Sequence, residues 1–267
     1  MEIYSLLEKV RTEKPVVHHL TNWVTIYDCA NIVKVFGASP VMAHAKEESA
    51  DMAKIASALV LNIGTLTPEF VESMKIAAKS ANEKGISVIL DVCGAGATKL
   101  RDDTCFDLLN EVKIDIIKGN SSEVARIAGE DVQTKGVDAT EVKKDLIAIA
   151  KHLASQRECT VVITGKEDII CNSKKCYIVK NGTEIMSHIV GTGCMTTSVI
   201  GTFAAVESDL AKASVAGLVC FEIAAELAEK ESKGAGTFKA NLFDAVYNLK
   251  KEEIEKMQKV EEQKFVE

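Results

Sequence analysis

Apolar residues follow two periods along this chain, and the two alternate. Short runs that are apolar almost without interruption occupy 16–20, 58–63, 87–90, 114–117 and 160–163. Runs of that length and continuity predict strands covered on both faces, as in a parallel sheet. Between them, apolar positions recur at helical spacing. Ile3, Leu6, Leu7 and Val10 share one face of a first helix, which Pro15 ends. Thr21-Asn22 caps a second helix that runs to about Phe36 and stops at Gly37. Residues 38–44 return to extended structure and 47–56 to helix. Thr67-Pro68-Glu69 opens another helix with a cap, a proline at the first helical position and an acid, and that helix ends near Gly85. Helices also follow Lys118-Gly119-Asn120 as far as Ala128 and span 138–155. Residues 168–171 and 176–179 form a hairpin around an Asn172-Ser173-Lys174-Lys175 turn. The last part is helical: from Gly191 through Phe203 to Val206, then 208–231 and 238–257, broken at Gly234-Ala235-Gly236. Beyond Leu249 lysine and glutamate alternate, as on a solvated helix end. The alternation predicts a single α/β domain, residues 1–267, with a central mostly parallel sheet covered by helices on both faces.

Composition sharpens this picture only in places. With 47% hydrophobic residues and 27% charged, the chain has the makings of a packed core. A net charge of −7 without a clustered basic face argues against nucleic acid as a main partner. It leaves room for a nucleotide held through a metal and backbone amides. The eight cysteines include no C-x-x-C pair, and the five histidines lack zinc-ligand spacing. No secretory signal opens the chain and no apolar run reaches membrane-spanning length, so the expectation is a reduced, soluble, cytoplasmic protein without disulfides.

Candidate chemistry gathers where the apolar runs end. In parallel α/β sheets ligands bind beyond the carboxyl ends of the strands. Asp91, Lys118-Gly119-Asn120, Thr164 and the turn Gly191-Thr192-Gly193-Cys194 all fall at such ends. That turn opens a helix, so its free N–H groups and the helix dipole suit an anion. Cys194 at the helix start has its thiolate favoured and could act as base or nucleophile. The plainer reading of the same stretch is a tight turn followed by a small buried cysteine. Asp91 and Glu123 are the acids best placed for magnesium, which takes one or two carboxylates plus phosphate oxygens and water. The plainer reading of Glu123 is a first-turn helix acid. No G-x-x-x-x-G-K-[ST] loop occurs. His18, His19, His44 and His188 have no identifiable partner and read as surface or structural residues.

The motifs taken together resemble one family. Pro15-Val16-Val17-His18 with Thr21-Asn22, Gly37-Ala38-Ser39-Pro40-Val41-Met42-Ala43-His44-Ala45, Leu61-Asn62-Ile63-Gly64-Thr65-Leu66 and Gly94-Ala95-Gly96-Ala97-Thr98 are similar to signatures of hydroxyethylthiazole kinases. So are Lys118-Gly119-Asn120-Ser121-Ser122-Glu123, Lys135-Gly136-Val137-Asp138 and Gly191-Thr192-Gly193-Cys194-Met195. The resemblance runs in order over about residues 1–248. It implies a ribokinase-like fold and transfer of the γ-phosphate of ATP to the primary alcohol of 4-methyl-5-(2-hydroxyethyl)thiazole, in thiamine salvage. It also implies Mg2+ and a homotrimer with thiazole pockets between subunits. Met42, Asn22 and Gly191 would contact the thiazole alcohol; Lys118 and Thr164 would hold ATP. Asp91 and Glu123 would organise the metal, Gly191, Thr192, Gly193 and Cys194 would form the anion hole, and Cys194 would be the base. The chain departs from the pattern at Lys118, where the family usually has arginine, at Val92-Cys93, where it reads Pro-Val, and at His19, usually asparagine. The alternatives are a related small-alcohol kinase of the same fold, acting for instance on hydroxymethylpyrimidine, and a thiazole-binding protein without turnover.

Overall fold

The computed structural model describes residues 2–130 and 146–264. In chain order the elements begin α1 (Ile3–Glu13), β1 (Val16–Leu20), α2 (Ile26–Phe36), β2 (Ser39–Val41), α3 (Ser49–Ile55) and β3 (Ala58–Asn62). They continue α4 (Pro68–Lys84), β4 (Ser87–Asp91), α5 (Lys99–Glu111), β5 (Ile116–Asn120), α6 (Ser121–Ile127), α7 (Leu146–Arg157) and β6 (Thr160–Thr164). The last part holds β7 (Asp168–Cys171), β8 (Lys175–Val179), a 3-10 turn (Glu184–His188), α8 (Thr192–Ala204), α9 (Leu210–Lys230), α10 (Ala235–Asn248), α11 (Lys251–Met257) and β9 (Val260–Lys264).

The strands form one sheet in the order β2-β1-β3-β4-β5-β6-β7-β8-β9. All pairings from β2 to β6 are parallel, and those from β6 to β9 are antiparallel. The expected mostly parallel sheet is therefore present, with every strand from β1 to β6 ending at the same edge.

Alternation along each strand explains the two cores. In β3, Ala58 and Val60 join the core built on α1, α2, α8, α9 and α10, whereas Leu59 and Leu61 join the core built on α4 to α7. A strand with apolar residues on both faces can bury both only between two helical layers. Helix α8 lies close on the sheet because Gly201 faces β3: a Cβ there would stand 2.4 Å from Val60 Cγ2. Two of its buried hydroxyls are satisfied within the helix, Thr196 donating to the Thr192 carbonyl and Thr202 to that of Ser198, both at 2.9 Å.

Several expectations are corrected. Helix α2 starts at Ile26 rather than after Thr21-Asn22, because the Asn22 side-chain Oδ1 accepts from Thr25 N–H and Oγ1 in a separate turn. The break expected at Gly234-Ala235-Gly236 is present but falls slightly earlier: α9 ends at Lys230, Gly234 is the N-cap of α10, and Phe238 N–H bonds to the Gly234 carbonyl at 2.9 Å. A second break, inside the helix expected over 238–257, falls at Leu249, which is buried and turns the chain. The charged tail is not all helix: Val260–Lys264 adds to the open edge of β8, and Lys180 fastens Glu261 at 2.6 Å. Cys171 and Cys176, expected to be free, are joined in a disulfide. The Asn172 side chain accepts from the N–H groups of Lys174 and Lys175, which closes the turn and sets the two cysteines opposite each other across the hairpin. The Lys135-Gly136-Val137-Asp138 motif and the first part of the 138–155 helix lie outside the described residues. No helix among the described residues is long and apolar enough to cross a membrane.

Candidate active site

The start of α8 is built around Gly191. Its φ is +98°, and a Cβ there would stand 2.6 Å from Thr25 Cγ2, so only glycine fits the turn without strain. Gly191 is the N-cap and supplies no side chain to the helix. The first helical bond runs from Met195 N–H to the Gly191 carbonyl at 2.8 Å. Thr192, Gly193 and Cys194 thus carry the first-turn N–H groups, uncapped and at the positive end of the dipole.

Around this turn the strand ends converge. Asn62, at the end of β3, is 1% exposed and ties three segments together. Its oxygen accepts from Asn22 Nδ2 at 3.1 Å and from Gly64 N–H at 2.8 Å. Its amide donates to Asp91 Oδ2 at 3.0 Å and to Cys194 Sγ at 3.4 Å. Asn22 Nδ2 donates to Cys194 Sγ as well, at 3.1 Å. Asp91 Oδ2 further accepts from Thr197 Oγ1 at 2.6 Å and from the Lys118 ammonium at 3.3 Å. Lys118 also donates to the Gly193 carbonyl at 3.0 Å, which fixes the β5 end against the α8 turn. Burial works against the Lys118 charge, but the Asp91 and Glu123 carboxylates outweigh it and hold the ammonium above the ordinary lysine range.

Glu123 closes a capping box on α6. Asn120 Oδ1 accepts from Glu123 N–H at 2.9 Å, and Glu123 Oε2 accepts from Asn120 N–H at 2.7 Å. Its other oxygen accepts from Gly94 N–H at 2.7 Å, so the same carboxylate clamps the loop after β4. The helix-acid reading and a place at the site are therefore compatible. Burial raises the Glu123 pKa and the Asp91 charge raises it further, against Lys118 and the two backbone donors. Arg101 holds the same loop from behind, donating to the carbonyls of Ile63, Gly64 and Cys93.

The Cys194 thiol is held below the ordinary cysteine range, lowered to about 6. The Cys93 thiol, which donates to it, is the main cause; burial and the Asp91 charge push the other way, and Thr25 and Lys118 help to lower it. This second thiol, not the helix start named in the sequence, is the main cause of the lowering. The bond to Cys194 pushes the Cys93 thiol itself far up.

The structure brings Asn22, Asp91, Lys118, Gly191, Gly193 and Cys194 into one network, with Glu123 at its rim. Thr164 ends β6 one strand away, its hydroxyl 3.4 Å from the Gly119 carbonyl. Met42 follows β2 at the same edge of the sheet, half-buried, on the far side of Asn22. Its carbonyl lies 3.3 Å from His44 Nδ1, and His44 stacks edge-on against Trp23 at 4.7 Å. His18 and His19 are fully buried, each bonded to a backbone carbonyl, and burial lowers both, His19 to about 4. They are therefore not at the surface, and His18 Nδ1 and His19 Nε2 are buried without a hydrogen-bond partner. Asn62, Thr197 and Cys93 had no role assigned from the sequence. A polar residue closing an apolar strand, as Asn62 does, is the one signal that could have marked it.

No group of three or more histidine, cysteine, aspartate or glutamate side chains suited to a metal occurs among the described residues. Asp91 and Glu123 are thus the hard oxygen donors at this edge, a pair rather than a cage.

The hydroxyethylthiazole kinase family profile matches residues 7–252. A hydroxyethylthiazole kinase of Methanosarcina mazei is 54% identical over 256 residues, 96% of this chain and 98% of that protein. One from Desulfatibacillum aliphaticivorans is 46% identical over 257 residues, 96% of each chain. The solved hydroxyethylthiazole kinase protein of Pyrococcus horikoshii OT3 superposes with a TM-score of 0.91 at 37% identity, over 98% of this chain and 99% of that one. A ribokinase-like superfamily protein of Enterococcus faecalis shares the fold, with a TM-score of 0.64 at 11% identity over 92% and 94% of the two chains.

Proposed function

The chain belongs to the hydroxyethylthiazole kinase family, and from that premise we propose how its site moves the γ-phosphate of ATP to a thiazole alcohol. The reaction is phosphorylation of the primary alcohol of 4-methyl-5-(2-hydroxyethyl)thiazole, giving the thiazole phosphate and ADP, within thiamine salvage. The observation that carries the reading is the meeting of Cys194, Asp91 and Lys118 at the uncapped start of α8 through Asn62 and the Gly193 carbonyl.

Phosphoryl transfer asks a protein to align donor and acceptor and to stabilise charge on the transferring group. The N–H groups of Thr192, Gly193 and Cys194 face that charge as an anion hole, with Gly191 setting their direction. Lys118 adds a buried positive charge and, with Thr164, holds the nucleotide. Lysine lacks the bidentate fork of arginine, so its contribution is that of a point charge. Asn22 and Met42 border the thiazole, with Gly191 between alcohol and base. Cys194 Sγ accepts the hydroxyl proton as the alcohol oxygen bonds to phosphorus and the bond to ADP breaks. Asn22 and Asn62 both donate to Cys194 Sγ, so they hold the thiolate in place and stabilise its charge. A base with a pKa of about 6 is ionised at neutral pH and takes the proton late, as a loose transition state requires.

The residues fit a magnesium ion. Two buried or half-buried carboxylates stand close enough for the Asp91 charge to raise Glu123, an excess of negative charge that a divalent cation relieves. Asp91 and Glu123 would hold it, and when bound it would neutralise charge on the ATP phosphates.

A homotrimer with shared thiazole pockets belongs to this reading. Its support is the exposure of Val24, Tyr27 and Val190 beside the contact of Thr25 with Gly191. Apolar side chains grouped there suit burial by a neighbouring subunit, and a mass measurement in solution tests it. We read residues 1–267 as one catalytic domain working in the cytoplasm, where ATP is available.

The test is ADP release with ATP and magnesium, with and without the thiazole alcohol. Alcohol-dependent release with formation of the thiazole phosphate supports the reading; release that ignores the alcohol, or none, overturns it.

A further inference from the structure

Asp28 is a buried carboxylate to which the transfer reaction gives no part. It lies in the first turn of α2 and is 7% exposed. A Cβ on Gly191 would stand 3.9 Å from Asp28 Oδ2, so the carboxylate backs onto the N-cap of α8. A negative charge is favoured near a helix start. At this start, however, the Thr192, Gly193 and Cys194 N–H groups face an incoming phosphate, and an unbalanced carboxylate beside them would repel it. The balancing charge comes from far along the chain. Lys239 Nζ, on α10, donates to Asp28 Oδ2 at 2.7 Å. Fully buried Phe238 anchors the start of α10 and so fixes where Lys239 reaches α2. Exposed ion pairs contribute little, but taking one partner from a buried charge leaves the other uncompensated. Asp28 is of the second kind.

We propose that Asp28 and Lys239 are a charge-balanced positioning pair: Asp28 backs the Gly191 turn, and Lys239 cancels its charge so that the start of α8 keeps its positive potential for the phosphates of ATP. Both act through the turn rather than on the reacting atoms. The choice of ATP as the anion rests on the kinase reading; the charge balance does not. A sign follows from it. Removing the lysine exposes the turn to a bare carboxylate and weakens anion binding. Removing the carboxylate charge, with the lysine kept, strengthens it. A pair that only held α2 to α10 would weaken binding in both variants or in neither.

The experiment measures the ATP dissociation constant of the full chain by equilibrium dialysis with magnesium, at low salt and at about pH 8, where an aspartate left alone stays ionised. Lys239→Met should raise it about 3- to 10-fold and Asp28→Asn should lower it about 2- to 3-fold. The double variant, with neither charge, should return to within about twofold of wild type, and the gap between the single variants should narrow in about 0.5 M KCl. Single variants that shift in the same direction, or a double variant as weak as Lys239→Met, overturn the pair. Thermal unfolding shows which variants are folded. If Lys239→Met is not, Asp28→Asn and Lys239→Arg decide, since they keep the acceptor and the charge: tighter binding in the first with wild-type binding in the second supports the pair, and no tightening overturns it. Alcohol-dependent ADP release is measured alongside. Wild type that lacks it overturns the kinase reading, while the ATP dissociation constants still judge the pair.

Discussion

Replacing Asn62 with alanine removes four hydrogen bonds from a residue that is 1% exposed. Two are neutral bonds from Asn22 and Gly64, each worth about 1 kcal/mol net, and the bond to the Asp91 carboxylate is worth about 1.5–3 kcal/mol. Gly64 is half-buried and regains water, and Asp91 keeps Thr197 and Lys118, so the loss of stability is on the order of 3 kcal/mol. The catalytic effect has a different source. Cys194 keeps its bond from Asn22 but loses the second donor that fixes it relative to Asp91. Misaligning the base without deleting it should lower kcat by about 10- to 100-fold, or roughly 1.4–2.7 kcal/mol of barrier. The ATP KM should change little, because Lys118 and the α8 N–H groups remain. Urea unfolding gives the first quantity. Steady-state kinetics, at a temperature where the variant is folded, give the second. A destabilised variant with kcat within about twofold of wild type would reduce Asn62 to packing and refute the argument.

The Cys194 thiol near 6 predicts that kcat/KM falls about tenfold per unit as pH drops below that value and levels off above it, because the free enzyme needs the thiolate; a profile flat from pH 5 to pH 7, spanning about one unit on either side, contradicts it. Gly191→Ala places a Cβ 2.6 Å from Thr25 Cγ2 at a φ of +98° and should cost at least about 1–2 kcal/mol, with activity falling alongside. Adding Thr25→Ser, which removes that methyl, should recover part of the loss in thermal unfolding; no recovery would place the strain elsewhere. Glu222 is buried against Asp168 with one oxygen unpartnered, and burial first, then the Asp168 charge, raises its pKa well above that of a free glutamate. The native state then holds a proton that the unfolded chain releases, so stability is full below about pH 4.5 and is lost as pH rises towards the folded pKa. Glu222→Gln should therefore unfold at a higher temperature than wild type at pH 8 and show no such gain near pH 4, about the pKa of an unfolded glutamate; equal melting at both would remove the charge from the account.

Much of this architecture can be read from residues alone, and the reasons it can are local. The strands β3 and β4 announce themselves because an apolar run flanked by helices has one stable place, the middle of a covered sheet. Asp91 and Cys194 are legible because strand ends and helix starts are marked by Gly and acid residues. What escapes the sequence depends on contacts between distant segments. Asn62, Thr197 and Cys93 meet Asp91 or Cys194 only after β3, β4 and α8 pack together. Asn22 looks like a helix cap, yet its amide is drawn inward to Cys194 and its oxygen serves Thr25. Strand β9 carries no apolar alternation at all; Glu261 joins the sheet because β8 leaves an edge open and Lys180 is there to meet it.

Single-turnover phosphorylation of the thiazole alcohol by Cys194→Ala, with ATP saturating and its binding measured separately, tests the central claim most directly. If the sulfur at the start of α8 takes the alcohol proton, the rate falls on the order of 10²–10⁴-fold while ATP still binds. A rate unchanged from wild type would mean that the proton leaves by another route and that Cys194 is not the base.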